Sequence, residues 1–185
     1  FARDDSLLAS DEVIGGYRIL RRIGEGGMAV VYLAEHTELH HRVALKVLPR
    51  HFEESEERIA RFRAEAKIVA NLKHKNIVAV HDVGHDGDLH FIVMDFVDGP
   101  TQQHALEGMR APDYDIRTAE HVREQVKLIA DIADALQYAH SAGIVHRDVK
   151  PANILLENGE ARLTDFGRAR DAATRKQLTM TGDVV

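Results

Sequence analysis

The stretch His146–Gly167, HRDVKPANILLENGEARLTDFG, sets two short runs containing apolar residues on either side of Asn158-Gly159. An Asn-Gly pair in that position is the strongest short-range signal for a two-residue β-hairpin, because both turn residues must take positive φ. With the turn fixed there, Asn153 on the first strand lies nearly opposite Thr164 and Asp165 on the second. An amide oxygen and a carboxylate meet at the open end of the hairpin, and Asp148 stands just before it. Oxygen ligands of this kind suit a hard cation such as Mg²⁺, which keeps several waters and shares its shell with phosphates. Taken singly, Asp148 and Asn153 read as turn or cap residues and Asp165 as a strand end. Together, at these intervals, they point to phosphate chemistry.

Two remote features point the same way. In IGEGGMAVVYLA, residues 23–34, the glycines Gly24, Gly26 and Gly27 lie between strand-like runs, so backbone N–H groups can approach a polyphosphate closely. In VALKVL, residues 43–48, Lys46 shares a strand face with Ala44 and Leu48, while Val43, Leu45 and Val47 take the other. A lysine on a strand covered on both faces needs a partner. Ile59, Phe62, Ala66 and Val69 mark one face of a helix from about Ser55 to Leu72, with Glu53, Glu54, Glu56 and Glu57 at its N-terminus. Glu65 falls inside that apolar stripe, between Val69 and Leu72. A buried carboxylate without a cation is costly, so Lys46–Glu65 is the expected pair, with an Arg61/Glu65 pair on the helix surface as the alternative.

The chain divides into two parts. YRIL, AVVYLAEH and RVALKVL read as three antiparallel strands, and NIVAVHDVG and LHFIVMDFV as two more around the Gly84–Gly87 turn. The first part is therefore a five-stranded sheet with one main helix. Near Asp98-Gly99-Pro100 the pattern changes, and a long helix is expected from about Ala119 to Ser141. Val122, Val126, Ile129, Ala133 and Leu136 lie on one side of it, and Gly143 is its stop. The expected organisation is a polar extension over 1–16, a first lobe over 17–97 and a partial second lobe over 98–185.

Composition excludes several classes. Lysine and arginine total 24 against 30 aspartates and glutamates, so the net charge of -6 gives no basic footprint for nucleic acid. Without cysteine there is no disulfide, thiolate metal site or thiol nucleophile, which fits a reducing compartment. The longest unbroken apolar run, Met28–Ala34, is far below the ~18 residues that suggest a membrane span, so no membrane contact is expected from this segment. The N-terminus has neither an initiator Met nor the layout of a signal peptide, and the chain reads as a piece of something longer.

The glycine loop, VALK, the helix glutamate, HRDVKPAN and DFG occur in that order, and from about Tyr17 to Val185 the chain resembles the eukaryotic-type protein kinases, most closely the bacterial serine/threonine kinases. The resemblance implies an α+β, two-lobe protein-kinase-like fold: a five-stranded antiparallel N-lobe sheet with one main helix, and an incomplete, mainly helical C-lobe. It implies that Gly24 and Gly26 cover the ATP phosphates, Val31 and Ala44 sandwich adenine, and Lys46, held by Glu65, grips the α- and β-phosphates. Met94 takes the gatekeeper position, and Asp95-Phe96-Val97 the hinge whose backbone reads adenine. Asp148 orients the protein hydroxyl and accepts its proton, Lys150 stabilises the moving phosphoryl group, and Asn153 and Asp165 hold Mg²⁺.

The implied partners are ATP and a protein serine or threonine, in a cytoplasmic setting that a membrane segment elsewhere in the parent could anchor. Arg147 would help bind a phosphate on the activation segment, where Thr179 and Thr181 are the candidate sites of autophosphorylation in trans. The alternatives are a nucleotide-binding pseudokinase or scaffold, whose usual mark is loss of one of Lys46, Asp148, Asn153 or Asp165, and a small-molecule phosphotransferase, which Arg147 and Lys150 flanking Asp148 disfavour. Two departures stand out: Ala29 replaces the third loop glycine, so that backbone must avoid the left-handed region, and Arg168 follows DFG where an apolar residue is usual. Val185 falls inside the activation segment. The 185-residue piece alone is therefore expected to bind Mg-ATP weakly, to leave the apolar side of its long helix partly uncovered and not to phosphorylate a peptide.

Overall fold

A computed structural model describes residues 8–26, 29–49, 55–109, 118–166 and 170–171, the last pair by backbone alone. The chain forms two compact units: residues up to Ala70 together with Ala79–Phe96, and Asn71–Val78 together with Val97 onward.

The first unit is an antiparallel sheet of strands β1 (Val13–Ile14), β2 (Tyr17–Glu25), β3 (Val30–His36), β4 (Arg42–Val47), β5 (Val80–Asp86) and β6 (Leu89–Asp95), in the order β1-β2-β3-β4-β6-β5. The expected count was five. The sixth strand is β1, two residues of the N-terminal lead-in that pair with Tyr17 and Arg18. It follows no apolar run of its own, because Gly15 and Gly16 simply fold it back onto β2 with positive φ.

Period-two alternation sorts the sheet's side chains. Ile19, Tyr32, Val43, Leu45, Val47, Phe91 and Val93 form one buried cluster. The ring of Phe91 fills the space beside two glycines, since a Cβ at Gly15 or Gly84 would stand 2.3 or 2.4 Å from its tip. The opposite face carries Leu48 and Ile92, packed with Phe62 and Ala66 of helix α1 (Glu56–Ala70). Glu56 and Glu57 occupy the helix's first turn, where the partial positive charge of unpaired N–H groups favours carboxylates.

The second unit contains α2 (Gln102–Gly108), α3 (Ala119–Ser141), β7 (Ile144–Val145), a 3₁₀ turn at Pro151–Asn153, β8 (Ile154–Glu157), β9 (Glu160–Leu163) and β10 (Arg170–Asp171), which pairs with β7. Thr118 caps α3 by accepting from the N–H of His121 at 3.2 Å, and Gly143, at φ 78°, ends it. The buried side of α3 is Asp131, Ile132, Ala135 and Ala139. Val122, Val126 and Ile129, on the side marked by the sequence, are 50, 60 and 65% exposed. Lys127 ties α3 to the hairpin, donating to Asp131 Oδ2 at 3.0 Å and to the Gly159 carbonyl at 3.1 Å.

The expected strand Asn76–Gly84 is divided between the units. Asn76–Val78 lies beside β9, with Val78 N–H donating to Leu163 O and Leu163 N–H donating to Asn76 O. Asn76, fully buried, adds a bond from Nδ2 to the Ala161 carbonyl at 2.7 Å. β5 begins only at Val80.

Candidate active site

The sequence-predicted residues fall into two groups, one in each unit. In the first unit the register determines the arrangement. Val31 lies opposite Gly24 on β2 and Lys46 on β4, and Ala44 lies opposite Met94 on β6. Residues directly opposed across strands share a face, and so do residues two apart along one strand. Val31, Ala44, Lys46 and Met94 therefore stand on one face of the sheet, the face that α1 covers.

Lys46 Nζ lies 2.6 Å from Glu65 Oε1, and the two side chains are only 15 and 13% exposed. Arg61 bonds Glu57 instead, at 2.9 Å. Neither Gly24 nor Gly26 has positive φ. A Cβ at Gly24 or Gly26 would meet nothing closer than 3.8 Å, so neither backbone conformation nor packing within the described residues requires glycine there. Gly26 N–H closes the loop by donating to the Ala29 carbonyl at 2.9 Å. Ala29 avoids positive φ, and its methyl group is buried against Leu48, Phe62, Ala66 and Ile92. The missing third glycine is thus a core residue. Asp95 ends β6, with its N–H donating to the Ala79 carbonyl at 3.0 Å. Gly27 lies outside the described residues.

In the second unit the β8–β9 hairpin turns on Asn158 and Gly159, at φ 51° and 77°, with Ile154 opposite Leu163. One step beyond, Thr164 N–H donates to the Asn153 carbonyl at 2.9 Å, which sets Asn153 and Asp165 on neighbouring strand ends. Asp148 is held from two sides. Lys150 Nζ donates to its Oδ2 at 2.8 Å, and Asn153 Nδ2 donates to its carbonyl at 2.8 Å and to Oδ2 at 3.2 Å. With its amide nitrogen so occupied, Asn153 keeps its side-chain oxygen for another partner. Asp165 is exposed and takes φ 63°, an unusual conformation for a residue with a side chain. Val97 is buried in this unit. Gly167, Arg168, Thr179 and Thr181 lie outside the described residues.

His146 went unread in the sequence. It is 1% exposed and uses both ring nitrogens: Nδ1 accepts from Asp148 N–H at 3.2 Å, so Nε2–H donates to the Thr164 carbonyl at 3.1 Å. Its ring centroid is 4.4 Å from that of Phe166. Burial pulls its pKa below the ordinary value of 6.5 and keeps the imidazole neutral, the state this bonding requires. One side chain thus links the Asp148 loop to the Asp165 strand end. The signal was present in its place two residues before Asp148.

Residues 17–184 match the protein kinase domain, and the chain belongs to that family. It is similar to the serine/threonine-protein kinase PrkC of Bacillus subtilis, with 39% identity over 181 residues, covering 97% of this chain and 26% of PrkC. It is 43% identical over 183 residues to the serine/threonine-protein kinase PknJ of Mycobacterium tuberculosis, covering 96% of this chain and 29% of PknJ. The chain thus spans about a quarter of the length of these relatives. Among solved structures, the PknI kinase domain of M. tuberculosis superposes with a TM-score of 0.70 at 34% identity, covering 96% of this chain and 69% of that one. The fold is that of the protein kinases. Among the described residues no helix is long and apolar enough to cross a membrane.

Proposed function

We propose that the protein carrying this sequence is a cytoplasmic serine/threonine kinase, with residues 17–97 and 98–185 as its N-lobe and partial C-lobe. The observation that most supports this reading is the Lys46–Glu65 pair, 2.6 Å apart and nearly buried. Desolvating two charges is expensive, and for stability alone apolar residues would serve as well. A lysine fixed by a carboxylate on the sheet face that also carries Val31, Ala44 and Met94 is suited to hold the phosphates of a nucleotide whose adenine meets those apolar side chains.

The reaction forms a bond from a serine or threonine oxygen of a protein to the γ-phosphorus of ATP and breaks the bond from that phosphorus to the β,γ-bridging oxygen, so that ADP leaves. The hydroxyl proton goes to Asp148, whose carboxylate the bonds from Lys150 and Asn153 keep aimed. Lys150, 2.8 Å from that carboxylate, places a positive charge where the transferred group gathers negative charge. Mg²⁺, when bound, neutralises phosphate charge. The donor set fits it: the uncommitted amide oxygen of Asn153 and the carboxylate of Asp165 are the one or two hard oxygen ligands that Mg²⁺ takes from protein while keeping waters and phosphate oxygens. Lys46, Asp148, Asn153 and Asp165 are all present, which disfavours a scaffold without catalysis. Thr179 and Thr181 are the proposed acceptors in trans.

The test is to incubate the protein with γ-labelled ATP, Mg²⁺ and a protein mixture, then identify the phosphoamino acids after acid hydrolysis. Label on phosphoserine and phosphothreonine, lost in Asp148→Asn, is the expected result. Label confined to phosphotyrosine, or unchanged in Asp148→Asn, would overturn the assignment.

A further inference from the structure

β5 carries a bulge at the end where β6 reaches the proposed adenine-reading residues. Val80 lies opposite Met94 and Asp82 opposite Val93, so β5 sets three residues against two and His81 is the extra one. A bulge disrupts the ladder locally and re-aims the side chain of its unpaired residue. Here it turns His81 onto Asp95: Nε2 stands 2.7 Å from Oδ1. A carboxylate only accepts, so Nε2 carries the hydrogen, which the neutral imidazole can supply in that tautomer. Immediately beside this bond, the Asp95 N–H donates to the Ala79 carbonyl at 3.0 Å. The end of β6 is therefore fastened to residues 79–81 twice, once through backbone and once through the bulged side chain.

We propose that His81 is a positioning residue for nucleotide binding, which fixes Asp95 so that the backbone at the end of β6 presents one orientation to adenine. The inference rests on the kinase reading, in which that backbone meets the base. The fastening adds little to global stability, because the His81 side chain is 49% exposed and that of Asp95 28%, and pairs this exposed are weak. What it restricts is the direction of one peptide group, and adenine recognition depends on that direction. No residue motif announces it: His81 is one of 12 histidines, and only the bulge distinguishes it.

The experiment compares His81→Ala and His81→Gln with the unsubstituted protein, using adenosine and inorganic tripolyphosphate as separate probes and amide hydrogen exchange at Asp95 without ligand. His81→Ala should weaken adenosine binding about two- to fivefold, the range expected for one partly exposed bond, and leave tripolyphosphate binding unchanged. It should also speed exchange of the Asp95 amide. His81→Gln, which retains an N–H that reaches the carboxylate, should restore both. Unchanged Asp95 exchange in His81→Ala overturns the positioning role, and so does a His81→Gln variant as impaired as His81→Ala. An unsubstituted protein that ignores adenosine, while Asp95 exchange still responds to His81→Ala, overturns the link to adenine and the kinase reading beneath it.

Discussion

Replacing Lys46 by methionine tests the buried pair on which the nucleotide assignment rests. Methionine retains an unbranched apolar stem of similar length, so the space on the sheet face stays filled, but Glu65 loses the cation 2.6 Å away. Stranding one member of a fully buried pair costs about 3–5 kcal/mol. The Glu65 side chain retains 13% exposure, which admits some solvent, and the expected cost is nearer ~2–4 kcal/mol. At a urea dependence of about 2 kcal/mol per molar, the first unit's unfolding midpoint should fall by about 1–2 M. Because the chain forms two units, the shift is best followed by amide exchange along β4 rather than by a global signal. Adding Glu65→Leu removes the stranded charge and should recover most of the loss, while phosphotransfer stays absent in both variants. A Lys46→Met protein as stable as the original, or a double variant no more stable than the single one, would refute the pairing energetics. In the full-length parent, where the phosphotransfer is assayed, unchanged phosphotransfer by Lys46→Met would refute the phosphate role.

Gly99→Ala places a Cβ 1.7 Å from the Leu156 carbonyl oxygen, so the Pro100–Leu156 backbone bond beside it must give way; a melting temperature lower by about 5–10 °C is expected by calorimetry, with Gly108→Ala, where nothing lies within 4 Å, as a near-neutral control. Asn158→Val forces a β-branched residue to φ 51° and should cost about 1–2 kcal/mol in urea titration, whereas Asn158→Gly should cost far less. Burial, aided at His90 by the Arg63 charge, sets the pKa values of His146 and His90 below 6.5 in the folded chain, so the unfolded chain binds these protons more readily. Their contribution is complete above pH 6.5 and is lost as the pH falls through the folded pKa values; the urea midpoint should drop as the pH falls below about 6.5, and a rise on acidification through that range would contradict the sign.

Features fixed within a few residues were legible in the sequence. Asn-Gly specified the β8–β9 hairpin to the residue, because the turn's φ requirement admits few alternatives, and alternation across Val43–Leu48 separated Lys46 from the opposite core face. The Lys46–Glu65 pair was readable because a charge inside an apolar stripe demands a partner, and only one strand lysine answered. Features set by long-range contacts were not. Asn76–Val78 reads in the sequence as part of one strand with β5, yet its bonds go to Leu163 and Ala161, more than eighty positions away. His146 and His81 were two histidines among 12, and what distinguishes them, a doubly bonded buried ring and a strand bulge, exists only once the backbone is folded.

Helix α3 carries two apolar stripes, and the described residues cover one of them. At ~100° per residue, Val122, Val126 and Ile129 form one stripe, while Ile132, Ala135 and Ala139 lie on a second. Both are apolar, and hydrophobic spacing alone favours the first, whose side chains are larger. The described residues cover the second, and they draw Asp131 in with it, a carboxylate that no hydropathy pattern would assign to a buried face. Lys127 makes this tolerable. One turn away from Asp131, it bonds Oδ2 at 3.0 Å and reaches the Gly159 carbonyl at 3.1 Å, so the buried charge is paired and the helix is tied to the hairpin that carries Asn153. The first stripe is the side expected to be left partly uncovered in this 185-residue piece, and its exposure agrees with that, while an ion pair and a turn carbonyl hold the second stripe in place.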